Sequence, residues 1–199
     1  MSGKIMFDND KKHTLEKLQN AVENGYVDPE IMYFVDQINE LKNYYTTSSC
    51  IGRCGIIEFP KGKNPKIYSK WLGKWHHYAE YSEIDEAISK KSKDFEKISF
   101  VLNSPILHIA SKDLNSSKAL LDLAYNNGLK GTSIKAITGR RFIVEIITTV
   151  KLDAPVAYDG KMIVDFQYLK ILLDEGNHKL KHARNSLKRL YDKLDELNR

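Results

Sequence analysis

The chain has 199 residues, of which 42% are hydrophobic, and a formal net charge of +5 at pH 7. This composition excludes an intrinsically disordered chain, and the length favours one domain over residues 1–199. No apolar run approaches the roughly 18 residues that span a bilayer, and the first residues lack the apolar segment of a signal peptide. We therefore expect a cytoplasmic protein with no membrane contact, and the positive charge favours a polyanionic partner.

Two amphipathic helices are predicted near the start of the chain. Apolar residues recur at helical spacing from Leu15 to Val22 and stop at Asn24-Gly25, which is typical of a helix C-terminus. Asp28-Pro29 then supplies an N-cap and a first helical residue for a second apolar stripe that ends at Leu41. We expect both helices to pack on a sheet.

Residues 46–53 read Thr-Thr-Ser-Ser-Cys-Ile-Gly-Arg and are predicted to form a loop between two apolar runs. The hydroxyls, the glycine and the Arg53 guanidinium suit an anionic ligand, although an ordinary turn rich in Ser and Gly has the same composition. Arg53 could also brace the loop through a neighbouring carboxylate. Cys50 and Cys54 have no second Cys or His pair at zinc-site spacing, so we expect no metal site and favour free thiols over a disulfide.

A β-hairpin is predicted next, with strands over Gly55–Phe59 and Lys66–Trp75. Cations are interleaved with aromatic residues along it: Lys61, Lys63, Lys66, Lys70 and Lys74 with Tyr68, Trp71 and Trp75. Its second strand leads to His76. Arg140 and Arg141 form a second basic turn further along the chain. Such mixtures are typical of RNA-binding surfaces, whereas each basic cluster alone is also typical of a solvated face.

Strands and helices alternate through the middle of the chain. Ser82 and Asn115 are predicted N-caps of two helices. Strands are predicted at 98–102, 106–110, 132–137 and 142–150, and Asp159-Gly160 predicts a two-residue hairpin turn. The element order predicts an α+β fold, a single domain whose largely antiparallel or mixed sheet is flanked by helices.

A long helix is predicted over residues 165–199. Its small and apolar residues alternate steps of three and four, at Leu173, Gly176, Leu180, Ala183, Leu187, Leu190, Leu194 and Leu197. This seam either packs along its own domain or pairs with a second copy, so a monomer and a homodimer through the C-terminal helix are both open. No G-x-G-x-x-G follows a strand, which argues against a dinucleotide-type fold.

Sequence blocks along nearly the whole chain carry a family resemblance. They are Thr46–Arg53, Trp71 with His76, Pro105–Ile109, Gly128–Ile134, Pro155 with Gly160–Val164, and Asn177–Leu180. In this order the chain resembles the wybutosine-synthesizing protein 3 family, S-adenosylmethionine-dependent methyltransferases of wybutosine-type tRNA bases. It departs from the family pattern at Gly131, where the glycine is displaced, and at Ala183, where relatives often carry Asn.

The resemblance implies methyl transfer to ring nitrogen N(4) of a tricyclic 4-demethylwyosine-type base at position 37 of tRNA(Phe), in a fold that is not Rossmann-type. S-adenosylmethionine is then the expected cofactor and the tRNA(Phe) anticodon loop the expected partner. The residues expected to bind the cofactor are Ser48, Ser49, Cys50, Gly52, Arg53, Thr132 and Ser133, and those expected to bind RNA are Lys61, Lys63, Lys66, Trp71, Trp75, Arg140 and Arg141.

Methyl transfer from a sulfonium requires alignment of the reactants and removal of the proton of the acceptor. His76 and His108 are the expected catalytic residues, because imidazole is the side chain that titrates near neutral pH. His108 lies in an apolar strand, where a hydrogen-bonded core histidine is the more typical finding. His76 ends a strand that carries two tryptophans, which makes it the better candidate for facing a site. His77 should point away from His76 by strand alternation. Cys50 fits a packed thiol better than a nucleophile, since transfer to nitrogen needs no covalent intermediate.

Two other classes of protein fit parts of this pattern. A non-catalytic RNA-binding module would use the basic and aromatic residues without binding a methyl donor. A coiled-coil assembly subunit would use the last helix alone. Saturable binding of S-adenosylmethionine distinguishes the enzyme from both.

Overall fold

The structure, a computed structural model, describes residues 3–62 and 64–198, so Lys63 and its predicted RNA contact lie outside the described residues. The helices are α1 (Gly3–Glu23), α2 (Met32–Glu40), α3 (Pro65–Tyr68), α4 (Tyr81–Ser89), α5 (Leu114–Asn126) and α6 (Phe166–Tyr191), with 3₁₀ turns at Pro29–Ile31 and Leu194–Asn198. The strands are β1 (Tyr44–Cys50), β2 (Arg53–Pro60), β3 (Lys70–Trp75), β4 (Phe95–Asn103), β5 (Ile106–Ser111), β6 (Ser133–Ile137), β7 (Phe142–Ile147), β8 (Lys151–Tyr158) and β9 (Lys161–Met162). The predicted α+β class and the long C-terminal helix are confirmed.

All strand pairs among the described residues are antiparallel, and they form two sheets where we predicted one. This arrangement excludes the parallel strand order of a Rossmann-type methyltransferase. Contacts within the chain define two compact units, each with its own sheet. None of the helices in the described part of the chain has the length and apolarity to cross a membrane.

The first unit comprises residues 3–51, 105–149 and 183–198. Its sheet has the order β1-β5-β7-β6, and α2, α5 and the end of α6 cover one face. Strand residues such as Leu107 and Val144 pack there against Phe34, Leu120 and Leu187, all of them fully buried. Because strand side chains alternate between faces, the residues between these core positions lie on the opposite face of the sheet.

The second unit comprises residues 52–62, 64–104 and 150–182. Its sheet has the order β3-β2-β4-β8-β9, and Ile56 and Phe100 on one face pack against Ile84 of α4 and Leu173 of α6. The β8–β9 connection is Asp159-Gly160, with φ of 45° and 77°, as a two-residue hairpin requires. The predicted turn is confirmed.

The apolar seam of α6 is buried within this chain. Leu173 and Leu180 belong to the core of the second unit, and Leu187, Leu190 and Leu194 belong to the core of the first. Of the two uses that the sequence left open for the seam, the structure shows packing along its own chain. The oligomeric state itself stays a prediction.

Close packing around α6 leaves no room for a side chain at Gly176. A Cβ at this position would lie 2.8 Å from Phe100 Cζ and 3.3 Å from Cys54 Sγ, both in the core of the second unit. We expect Gly176→Ala to lower the free energy of unfolding by about 1–2 kcal/mol, since overpacking outweighs the roughly 1 kcal/mol gain in helix propensity. Urea denaturation measures this, with the exposed Asp174→Ala as the control; a Gly176→Ala protein more stable than wild type would show that Phe100 moves aside without cost.

Four predictions about local structure were wrong. The second strand of the hairpin begins at Lys70 and not at Lys66, because Pro65–Tyr68 form the short helix α3. Residues 46–53 are not a loop, because β1 runs through Cys50 and β2 begins at Arg53. The N-cap of α4 is Glu80, which forms a reciprocal capping box with Glu83, and the N-cap of α5 is Asp113, which accepts a hydrogen bond from Ser116 N at 2.8 Å. Several polar residues near each helix start were eligible caps, and the sequence does not rank them.

Candidate functional site

A β-bulge in β1 determines where Ser48 points. Thr46 pairs with Ile109, but the next paired residue, Ser48, faces His108, so Thr47 is the extra residue of the bulge. Without the bulge, Ser48 would lie on the core face, since one step of register moves a side chain to the other side of the sheet. With it, Ser48 Oγ lies 2.8 Å from His108 Nδ1.

The contact continues across the first unit's sheet to β7. His108 Nε2 lies 2.9 Å from Glu145 Oε2, and Lys135 Nζ donates to Glu145 Oε1 at 3.1 Å. Ser48, His108 and Glu145 occupy paired positions on β1, β5 and β7, and Ser133 on β6 pairs with Glu145. We call Ser48, His108, Glu145 and Lys135 the polar row.

The contacts of the polar row determine which tautomer His108 adopts. Hydrogen bonding by His108 lowers the pKa of Glu145; burial opposes this shift, and Lys135 adds to it. An ionised carboxylate only accepts hydrogen bonds, so Nε2 of His108 carries a proton. In the neutral ring Nδ1 is then an acceptor for the Ser48 hydroxyl, whose oxygen lone pairs remain available to a further donor. The row can therefore carry a proton from a ligand through Ser48 to His108.

We expect the stability supplied by Glu145 to depend on pH. Its folded-state pKa lies below the reference value of 4.5, so the stabilisation is complete above that value and is lost as pH falls through the folded pKa. Glu145→Gln should cost about 1 kcal/mol at pH 7 and less at pH 4. Urea denaturation across this range tests it, with the exposed Glu96→Gln as the control; a cost that is independent of pH would contradict the pairing.

The first unit contains the other predicted cofactor residues Ser49, Cys50, Thr132 and Ser133. Ser133 pairs with Glu145 of the polar row, and Thr132 precedes Ser133 in the chain. Cys50 and Ser49 follow Ser48 on β1, and Cys50 is a free thiol, half-buried. Thr132 is buried, and its Oγ1 has no hydrogen-bond partner among the described residues. A buried hydroxyl normally has a partner, so Thr132 is a suitable contact for a polar ligand.

Arg53 and Trp71 lie together in the second unit, although the sequence placed one with the cofactor and the other with RNA. The Arg53 Cζ atom lies 5.5 Å from the centroid of the Trp71 ring. Arg53 Nε is buried and has no hydrogen-bond partner within the described residues. A guanidinium nitrogen without a partner suits an anionic ligand group such as a carboxylate. Gly52, which precedes it, has φ of 83°, a conformation that favours glycine.

The remaining predicted residues of the second unit differ in their surroundings. Trp75 is only 8% exposed and belongs to the core, which contradicts its predicted stacking on RNA. Lys61 is exposed and pairs with Asp159 at 3.3 Å. His76 follows β3 and is half-buried, while His77 bonds Glu83 Oε1 at 2.9 Å. Lys66 lies in α3.

Arg140 and Arg141 line a cleft of about 580 Å³ in the first unit, between α1 and the β6–β7 turn. Asp10 lies 3.8 Å from Arg140 and 3.7 Å from Arg141, and Lys17 also lines the cleft. Arg141 Nη1 donates to Tyr45 Oη at 2.7 Å, so one guanidinium is held in place. The cleft brings cations from two elements to one place, which suits a phosphate.

Sequence reasoning missed Glu145, Lys135 and the α1 side of the arginine cleft. Glu145 is a single acidic residue in the β-branched run 142–150 and was read as part of a strand. A charged residue inside an otherwise apolar strand was the available signal, because burying a charge without a partner is costly. Its partner followed only from the pairing of β5 with β7.

The structure defines an α+β protein outside the Rossmann class, with two antiparallel sheets and a row of hydrogen-bonded Ser48, His108 and Glu145 on one of them. A family model described as Methyltransferase TYW3 matches residues 9–196. The chain belongs to this family.

Solved and curated relatives agree with this membership. A "tRNA(Phe) 7-((3-amino-3-carboxypropyl)-4-demethylwyosine(37)-N(4))-methyltransferase" of Methanocaldococcus jannaschii is 57% identical over 188 residues, 94% of this chain and 96% of the relative. A protein of the same name from Thermococcus sibiricus is 38% identical over 96% of this chain and 95% of the relative. The solved structure of the PH1069 protein from Pyrococcus horikoshii has a TM-score of 0.90 at 36% identity and covers 98% of both chains.

Proposed function

We propose that this protein transfers a methyl group to ring nitrogen N(4) of a 4-demethylwyosine-type base at position 37 of tRNA(Phe), with S-adenosylmethionine as the donor and the anticodon loop as the bound segment. The observation that carries this proposal is the polar row, because a hydrogen-bonded serine and histidine can accept the acceptor nitrogen's proton. The name of the 57% identical relative supports the substrate and indicates the 7-(3-amino-3-carboxypropyl) derivative. A cytoplasmic location accords with a tRNA substrate.

In this proposal the polar row performs the proton transfer. S-adenosylmethionine supplies an activated methyl group, so the protein must align the acceptor and remove its proton. Ser48 Oγ takes the proton of the acceptor nitrogen while its own hydroxyl proton passes to His108 Nδ1, so the net transfer is from the base to the imidazole. Glu145 and Lys135 hold the ring in the required tautomer, and the carboxylate stabilises the imidazolium that forms. His76 remains a second candidate base.

Residues that would hold the donor follow from the orphaned polar atoms. Arg53 would take the carboxylate in a two-pronged contact, since its Nε lacks another partner among the described residues. Thr132, whose buried Oγ1 has no hydrogen-bond partner among the residues that the structure describes, would contact a polar group. Further predicted contacts are Ser48, Ser49, Cys50, Gly52 and Ser133. Arg140 and Arg141 would contact the tRNA backbone, as would Lys61, Lys63 and Lys66.

The two alternative classes, a coiled-coil subunit and a non-catalytic RNA-binding module, differ from the enzyme in different observations. A coiled-coil subunit requires an exposed seam, and the α6 seam is buried in this chain. An RNA-binding module would bind tRNA without a donor.

Labelled methyl transfer tests the proposal directly. Protein and radiolabelled donor are incubated with tRNA(Phe) that carries the unmethylated tricyclic base, and in parallel with the same tRNA carrying guanosine at that position. We expect label in the first tRNA alone. Label in both, or in neither under conditions where the tRNA binds, would contradict the proposal.

A further inference from the structure

A second cleft, of about 250 Å³, lies on the sheet of the second unit. Its lining residues Ile57 and Val101 alternate along their strands with the core residues Ile56 and Leu102, so the cleft is on the face opposite the core. Phe59 and Trp71 add aromatic rings, and Asn103, Lys151 and Asp153 form its polar edge. The polar row belongs to the first unit, and the proposed proton transfer uses none of the residues that line this cleft.

The Trp71 ring is held in a fixed position beside the sheet. A Cβ on Gly55 would lie 2.6 Å from Trp71 Cζ3, so the indole occupies the space that only glycine leaves open. Trp71 is paired with Ile57 on the neighbouring strand, which anchors its backbone. A ring that is ordered before a ligand arrives loses little entropy on stacking.

Cations accompany both aromatic rings of the cleft. Arg53 Cζ lies 5.5 Å from the Trp71 ring centroid, and Lys97 Nζ lies 4.5 Å from the Phe59 ring centroid. Lys151 adds a third cation and Asp153 the single carboxylate that lines the cleft. Aromatic faces beside cations match a nucleotide of single-stranded RNA, whose base is planar and whose phosphate is anionic. A double helix does not fit, because its bases hide their faces in the stack.

We propose that this cleft binds an unpaired anticodon-loop base other than the one that is methylated, by stacking on Trp71 while Lys97 and Lys151 meet the adjacent phosphates. The inference rests on the proposed function for the identity of the RNA. It gives the second unit a role as a stacking platform for RNA.

Tryptophan fluorescence tests this directly, because the chain has only two tryptophans and Trp75 is in the core. The probe is an unmodified RNA stem-loop with the tRNA(Phe) anticodon-arm sequence, titrated without methyl donor. We expect saturable quenching from Trp71. Trp71→Phe should lose the quenching and keep most of the affinity measured by fluorescence anisotropy of labelled RNA, because phenylalanine still stacks.

Affinity variants complete the test. Trp71→Ala should weaken stem-loop binding about 10-fold with an unchanged salt dependence, since a stacking contact is lost and no phosphate contact. Tyr158→Ala, an exposed aromatic on β8 outside the cleft, is the matched control and should bind normally. Wild-type affinity in Trp71→Ala would overturn the proposal. Loss of stem-loop binding when S-adenosylmethionine is added would also overturn it, because the cleft would then belong to the donor.

The two proposals fail separately in these assays. Stem-loop binding without quenching, together with normal methyl transfer to tRNA, would contradict RNA binding in the cleft and leave the methyltransferase proposal intact. Quenching by the stem-loop, with no methyl transfer by the wild-type protein, would contradict the methyltransferase proposal and leave the cleft as an RNA-binding site.

Discussion

Replacement of His108 by alanine is expected to slow methyl transfer in a single turnover by about 100-fold to 10,000-fold, the usual contribution of a general base. The loss should fall on the chemical step, because His108 contacts Ser48 and Glu145 and is not among the residues proposed to bind the donor. The measurement is rapid-quench methyl transfer at saturating donor and tRNA, with donor affinity determined in parallel by calorimetry.

Two controls separate this role from a structural one. Added imidazole should partly restore the rate of His108→Ala, since a free base can enter the space that the ring leaves. His77→Ala should retain the wild-type rate, because His77 is exposed and tied to Glu83 at the start of α4. A normal rate in His108→Ala, with a large loss of rate in His76→Ala, would show that His76 and not His108 removes the proton.

Arg53→Ala is expected to weaken binding of S-adenosylmethionine by about 100-fold, the loss of a charge-assisted, two-pronged hydrogen bond to the donor's carboxylate. The melting temperature should change little, because Arg53 Nε makes no hydrogen bond within the described chain. Isothermal calorimetry with S-adenosylmethionine measures the affinity.

Arg53→Lys is the matched variant, since it keeps the positive charge and removes the planar fork. We expect its donor affinity to fall between those of wild type and Arg53→Ala. Normal affinity in Arg53→Ala, combined with a marked loss of melting temperature, would assign Arg53 to a structural role beside Trp71.

Much of the fold could be predicted because local rules dominate there. The Asp28-Pro29 helix start, the Asp159-Gly160 turn and the α6 seam each depend on backbone preferences or on the helical repeat. The separation into two sheets could not be predicted, because strand partners are determined by packing between distant segments. The burial of Trp75 could not be predicted for the same reason. The lysines and aromatic residues around it suggested RNA binding, but Trp75 belongs to the core of the second unit.

The candidate site was predictable in residue types and not in geometry. Ser48 and His108 were both singled out, but as members of different groups. Their contact depends on the bulge at Thr47, which adds one residue to β1 and turns Ser48 to the face of His108. Glu145 joins them only through the register of β7. Such registers follow from the buried faces of both strands, and a linear pattern does not specify them.

The most direct test of the account is mass spectrometry of nucleosides from tRNA(Phe) after incubation with the wild-type protein and S-adenosylmethionine. We predict that the tricyclic nucleoside gains the mass of one CH2 group, with fragmentation placing the methyl group on N(4). A methyl group on any other nucleoside, or an unchanged tricyclic base in tRNA that the protein binds together with the donor, would contradict it.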